Sequence, residues 1–372
     1  MDLNISIGIL AHNESVSIST TLQSLFQQSL FKESDPPKSI EIIVVPNGCT
    51  DNTAEVSRTA LTELVKQCAQ PNVRDQVCEV DQPGKSNAWN LYVHKFSDPA
   101  ADYLFLMDAD IQFLDPNTLR NMIDCLEAAP DLWISVDKPV KDVSLKEKKN
   151  LIERLSVQVS KESLGDDNAP PICGQLYCSR AAKLRQIWMP PGLPVEDGFL
   201  LAMVTTDLFR SKEDCEWVKR APSASHIFEA YINIPSLLRH EKRLLVGSTL
   251  NAYLFGYLWA NCNEQQDAGS LIKHNNEQNP RWLHELIQQA IQENGWWLIP
   301  QAFVFRRFEK LKYYHPLKAV LRFPFALLGF LVDLLLCFQA NQQIHKGKAL
   351  GYWGASQRGS LIRRFSEQTG TV

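Results

Sequence analysis

Apolar runs of strand length alternate with longer stretches of mixed polarity over the first part of the chain. Ile5 to Leu10 is apolar and rich in β-branched side chains. Ala11, His12, Asn13 and Glu14 then make a polar turn, and Ser15 can cap a helix reaching about Gln28. The unit repeats: Ile40 to Val45 is a continuous apolar strand, Pro46 to Thr50 a turn, and Asp51 starts a helix to about Cys68. A weaker third strand, Val77 to Val80, runs into a turn at Gly84 and a helix from Ser86 to Phe96. The fourth, Tyr103 to Met107, is followed by a helix from Pro116 to about Ala129. Strands alternating with helices in this way predict right-handed crossovers and a parallel sheet covered on both faces. Ligands bind at the carboxyl edge of such a sheet. Four successive strand ends bring His12, Asn13 and Glu14, then Asn47 and Asp51, then Lys85, then Asp108 and Asp110 to that edge.

Further on the alternation loosens. Leu132 to Val136 reads as a strand, Leu145 to about Glu162 as an amphipathic Lys-rich helix, and Gly165 to Pro171 as a turn-rich connection. Ile172 to Ser179 reads as another strand. Met189 to Pro194 (MPPGLP) is a rigid loop that can be neither helix nor central strand. It leads into the acidic pair Glu196 and Asp197 and a helical pattern from Leu200 to Phe209, and a long helical stretch occupies Pro235 to Cys262. From Trp296 and Trp297 onward aromatic and basic residues interleave, up to an apolar segment, Phe323 to Phe338, broken by Pro324 and Asp333. An α/β domain over residues 1–230 and a helical C-terminal region over 231–372 are therefore expected.

Composition narrows the classes. The 372 residues are 45% hydrophobic, enough for a globular core, and the formal net charge of -4 gives no general reason to expect nucleic acid as a partner. Nine Cys at irregular spacings, with no C-x-x-C pair, suit reduced cytosolic thiols better than a disulfide framework or a zinc site. The N-terminus enters a strand pattern at once, without a basic stretch or small-residue cleavage site.

Chemistry concentrates in YLFLMDADIQFLD, Tyr103 to Asp115, where an apolar run ends in two carboxylates separated by one small residue. Such carboxylates repel each other unless something positive sits between them, and a divalent cation shared with substrate phosphates is a common solution. The plainer reading is that Asp110 caps the next segment. Glu196 and Asp197 have a plain reading too, as acids decorating a helix N-terminus.

The order NISIGILAHNES, IEIIVVPNGCTDNTAEVS, GKSNAWN, YLFLMDADI, VEDGFL resembles family-2 glycosyltransferases of the GT-A fold over about residues 3 to 210. The resemblance implies a Rossmann-like, mostly parallel sheet flanked by helices, and a nucleoside-diphosphate sugar as donor. It implies Mg2+ or Mn2+ held by Asp110, with Asp108 sharing the metal or holding ribose, and Lys85 approaching the base or diphosphate. Ala11, His12 and Glu14 would contact base and ribose, His12 standing where a tyrosine is common. Asn47 stands where the family often has an aspartate that accepts from uracil, so uridine is favoured and other bases remain open. Asp197 would be the general base for direct displacement with inversion, and Glu196 its orienter or an acceptor contact. His226 is a candidate third metal ligand, against the plainer reading of a structural histidine. Arg239 and Arg243, four apart on a helix, could clamp phosphate or form a solvated face. No Walker A, GxGxxG or G-x-S-x-G motif is present. Retaining transfer, sugar-phosphate nucleotidyl transfer and non-catalytic sugar-nucleotide binding are the alternatives. The acceptor can be a glycan, a lipid-linked molecule or a small molecule.

In the tail, Arg306, Arg307, Lys310, Lys312, Tyr313, Tyr314, Lys318 and Arg322 flank the apolar segment, as in an interfacial anchor on an anionic cytoplasmic leaflet. Packing as a soluble helical domain or dimer interface is the second reading. A true span is the third, because Phe323 to Phe338 falls short of the ~20 apolar residues a spanning helix needs.

Overall fold

A computed structural model describes residues 2–33, 35–68, 70–145, 170–230 and 233–351. The helix expected from Leu145 to Glu162, and the turn expected from Gly165, lie outside the described residues apart from their ends.

Eight strands form one sheet: β1 (Asn4–Ala11), β2 (Ser39–Pro46), β3 (Val73–Val77), β4 (Tyr103–Asp108), β5 (Gln112–Phe113), β6 (Ile134–Lys141), β7 (Leu176–Arg180) and β8 (Val218–Phe228). Their spatial order is β3-β2-β1-β4-β7-β6-β8-β5. The first four pair in parallel; β7 runs antiparallel between β4 and β6, and β8 lies parallel to β6. The sheet is thus mixed but mostly parallel, as expected. Register sets the level of the strand ends, with Leu10 opposite Asp108 and Ala11 opposite Pro46.

The apolar runs are continuous because both faces are covered. Along β4, Phe105 and Met107 pack into one core with Ile7 and Ile9, while Leu104 and Leu106 pack into the other with Trp89 and Tyr177. On the first face lie α1 (Ile18–Phe26) and α4 (Thr118–Glu127), with α2 (Thr53–Gln67) beside α1. On the second lie α3 (Lys85–Leu91), α5 (Ala181–Leu184) and α6 (Glu196–Thr205). The third strand is Val73–Val77 rather than Val77 to Val80; it is a charged edge strand, and Val80 keeps only a single bridge to Asn47.

Five helices follow: α7 (Ile234–Asn261), α8 (Ala268–Gln278), α9 (Trp282–Asn294), α10 (Gln301–Leu311) and α11 (Pro316–His345). Leu254 and Leu258 of α7, Ile272 of α8 and Leu283 of α9 join the core on the sheet's second face. The core therefore extends past the boundary expected at residue 230. A further core gathers Leu250 of α7, Ile287 of α9, Val304 of α10 and Cys337 of α11. Two further boundaries differ from expectation. The helix expected over Leu200 to Phe209 begins at Glu196 and stops at Thr205, because Asp207, Leu208 and Phe209 take left-handed backbone (φ 48, 59 and 63°), which buries the last two side chains. The apolar tail segment belongs to a helix of 30 residues, well beyond Phe323 to Phe338.

Candidate active site

The strand period carries the first site residue to its face. Leu104 and Leu106 point to the second face, so Asp108, next in that alternation, points there too, at the open carboxyl end. Two helices begin on this side, α3 with Lys85 and α6 with Glu196. The Lys85 ammonium sits 2.7 Å from Asp108 Oδ1 and 2.9 Å from Glu196 Oε1, and donates to the Gly174 carbonyl at 3.0 Å. Lys85 thus joins the end of the fourth strand to the acidic loop.

Gly84 aims that lysine. Its φ of 137° is open to glycine and strained for other residues, and its N–H donates to Asn47 Oδ1 at 2.6 Å, while the Asn47 amide donates to the Gln82 carbonyl at 2.8 Å. Asn47 is completely buried. Both ends of its amide thus help to shape the turn before Lys85.

Gly174 permits the close approach. A Cβ there would lie 2.9 Å from Glu196 Oε1 and 3.4 Å from Lys85 Nζ, so any side chain would push apart the groups that meet. The strand expected from Ile172 starts only at Leu176. The preceding residues, through Gln175, form a loop whose Gln175 carbonyl accepts the Asp108 N–H at 2.9 Å. Gln175 Oε1 also lies 3.4 Å from His226 Nε2, and Asp137 Oδ2 lies 2.7 Å from His226 Nδ1. His226 and Asp137 are both buried, and His226 stands opposite Phe113 across β8 and β5, three residues past Asp110.

Burial and opposing charge set the electrostatics. Burial works against the Lys85 cation, but Asp108 and Glu196 outweigh it and raise its pKa far above the ordinary lysine value. Burial pushes Asp108 up, against Lys85, and the charge of Asp110 adds to the rise. Glu196 goes the other way: burial would raise it, but the Lys85 ammonium and Arg243 guanidinium hold it below the usual carboxylate range. Asp197 is raised by burial and by the Glu196 charge beside it, although its carboxylate accepts the Gly198 N–H at 2.8 Å. Two adjacent carboxylates are thereby separated in acidity, one held ionised and one made more basic.

Residues 6–182 match the family model described as Glycosyl transferase family 2. Over that segment the chain belongs to glycosyltransferase family 2. No curated protein sequence matches it. Among solved structures it is similar to the mannosyltransferase PcManGT from Pyrobaculum calidifontis in complex with GDP-Man and Mn2+. The identity is 15% and the TM-score 0.52, over 94% of this chain and 88% of that one. Mannosyl-3-phosphoglycerate synthase from Rubrobacter xylanophilus is 13% identical with a TM-score of 0.46, over 69% of this chain and 76% of that one. Glucosyl-3-phosphoglycerate synthase from M. tuberculosis is 18% identical with a TM-score of 0.42, over 66% and 79%. The fold is GT-A-like, and the enzyme transfers a sugar from a nucleotide sugar.

The glycosyltransferase uses its first turn partly for structure. His12 Nδ1 lies 2.7 Å from the Asn47 carbonyl, and Glu14, buried, accepts from the Ser17 hydroxyl. Ala11 ends β1, its carbonyl accepting the Asn47 N–H at 2.9 Å. Asp110 is buried just beyond β4. Arg243 of α7 donates to the Pro194 carbonyl at 3.2 Å and so braces the loop before Glu196, whereas Arg239 donates to Ser236 on the exposed side. Gly174, Gln175 and Asp137 were missing from the expected site. A glycine inside a strand-like run was the only signal for the first. Among the described residues no three His, Cys, Asp or Glu side chains are already gathered into a metal cage.

Proposed function

We propose that this enzyme moves a sugar from a nucleoside-diphosphate sugar, uridine being the favoured base on the family pattern, to an acceptor hydroxyl with inversion at the anomeric carbon. The observation that carries this reading is the meeting of Lys85 with Asp108 and Glu196 at one sheet edge, with Asp197, raised by burial and by the Glu196 charge, beside them. In the step, Asp197 takes the proton of the acceptor hydroxyl as its oxygen bonds to the anomeric carbon and the nucleoside diphosphate departs with the bonding electrons. Glu196, kept ionised, orients the acceptor side. Lys85 supplies a fixed positive charge near the departing diphosphate.

The donor set suits Mg2+ or Mn2+. Asp110 and Asp108 offer carboxylate oxygens, and His226 offers Nε2, its other nitrogen fixed by Asp137 in the manner of metal-binding histidines. An ion held by one or two carboxylates and completed by substrate phosphates needs no preassembled cage, and it would neutralise charge on the diphosphate. The acceptor, whether glycan, lipid-linked or small molecule, is selected by loops rather than by these acids. All nine cysteines are free thiols, in keeping with a cytoplasmic site of action.

A thermal-shift screen of the full chain with nucleoside diphosphates and their sugars, with and without Mn2+, tests the donor side. A shift requiring both Mn2+ and one nucleotide is expected, and it would name the base, UDP or the GDP found in the Pyrobaculum enzyme. Asp110→Ala should abolish the metal-dependent part. Metal-dependent binding that survives this substitution sinks the assignment.

A further inference from the structure

We infer that α10 and α11 form a hairpin that docks in the plane of an anionic lipid bilayer, laying one face of α11 into the headgroup–acyl boundary. The face is apolar and is not covered by any of the described residues. Leu317, Leu321, Phe325, Leu328, Leu331 and Leu335 lie along one side of the helix, and Phe325, the most exposed, is 77% accessible. From Leu317 to Phe338 that side extends about 30 Å at the α-helical rise. The one acid in α11, Asp333, is turned inward and buried, where both Arg306 and Arg307 hold it, so no negative charge faces outward along the helix.

Charge complementarity selects the partner. Residues 301–345 carry six Lys and Arg against two Asp and Glu, in a chain whose formal net charge is -4. Lys310, Lys312, Lys318 and Arg322 gather around the turn between the two helices, where the Arg322 guanidinium lies 4.0 Å from the Tyr314 ring centroid. Trp296, half exposed, marks the other end, against Phe338. Apolar side, basic rim and interfacial aromatics together fit anionic lipid.

Length and composition alone would let α11 cross a membrane. Its middle is tied down, however. Arg306 bridges Asp333 to Glu241 of α7, and the Arg307 side chain lies against Gly329. A spanning α11 would carry these guanidinia and a carboxylate to the bilayer centre, where ionised groups are costly. Lying in the plane keeps them above the acyl chains. Two residues along α7 from Glu241, Arg243 braces the loop that holds Glu196, so the docked face and the acidic loop are joined through one turn of helix.

The test is co-sedimentation of the full chain with vesicles of phosphatidylcholine alone or mixed with phosphatidylglycerol, followed by a carbonate wash. Binding to the anionic vesicles that weakens with salt and is released by carbonate is expected. Leu328→Glu with Leu335→Glu should weaken it by roughly a hundredfold or more, and Arg322→Gln by about fivefold, with circular dichroism and Mn2+-dependent nucleotide binding retained. Retained nucleotide binding keeps this test separate from that of the donor site. Resistance to carbonate would indicate a span, and a lipid-free dimer abolished by the double variant would indicate a second copy as the occupant. Either result, or equal binding by wild type and double variant, overturns the inference.

Discussion

At the sheet edge, among the described residues, the Lys85 ammonium pairs with Asp108 and Glu196, Asp197 lies beside Glu196 and Asp110 beside Asp108, and Arg243 is the next positive charge. In the C-terminal hairpin two guanidinia, Arg306 and Arg307, meet two carboxylates, Asp333 and Glu241. Both clusters bury acids that folding alone would leave in water. The hairpin cluster balances, and it lowers the pKa of Asp333: burial would raise it, but hydrogen bonds from both arginines prevail. Among the described residues the acids Asp108, Glu196 and Asp197 outnumber the cations Lys85 and Arg243 at the sheet edge, and Asp108 and Asp197 are both raised. A balanced buried network fixes an arrangement; an unbalanced one is unstable by itself and invites a cation or a proton. The difference separates a part that positions from a part that reacts.

The widest gap between the two clusters should appear in transfer. Asp197→Asn keeps the shape of the α6 N-terminus and removes the proton acceptor, so turnover should fall by about 10²–10⁴-fold with donor affinity nearly unchanged. In the wild type, the raised pKa of Asp197 should move the acid limb of the kcat/KM profile above the ordinary carboxylate range, because the base must be ionised to act. Steady-state assays across pH measure both. An undiminished rate would move the base elsewhere.

Next comes the compensating cation. Lys85→Met leaves Asp108 and Glu196 buried without their shared partner, and a loss of about 3–5 kcal/mol is expected. Mn2+ should restore part of it, since the ion would supply the missing positive charge. Melting with and without Mn2+ decides: an equal deficit in both conditions would mean that the excess carboxylates do not attract a cation, and the contrast with the hairpin would lose its meaning.

How much of each region could be read from sequence follows from the same physics. The ends of the first, second and fourth strands and Asp108 were legible because apolar period and abrupt acid are local signals, whereas the third, a charged edge strand, was placed four residues late. The meeting of Lys85 with Glu196 was not, since it depends on Gly174 leaving room between chain segments far apart in sequence. The part Asn47 plays in the turn was not legible either, because its position in the motif said nothing of Gly84 donating to it. Strand β8 escaped notice because its buried Val218, Ala221 and Ala224 are spaced by three, not two. A break in register opposite Val136 to Lys138 and the positive φ of Ser223 explain that spacing. In the tail, hydropathy marked the exposed side of α11 but not its ends, because the helix continues through Asn341, which is buried and bonded to the backbone of Trp296 and Leu298.

The smallest effect should come from the balanced cluster. Asp333→Asn leaves Arg306 and Arg307, both partly exposed, to be solvated by water and by Glu241, so the expected loss is about 1–3 kcal/mol at neutral pH. The sign with pH is fixed by the lowered pKa of Asp333. Its contribution is present above the unfolded-state value and is lost as pH falls through the lower folded value, so the wild type should lose its advantage over the variant in acid. Urea unfolding at neutral and acidic pH measures this, and transfer to a water-soluble acceptor per folded molecule should stay unchanged. If turnover instead fell as it does in Asp197→Asn, the hairpin would belong to the reacting machinery, and balance of charge would no longer distinguish the two regions.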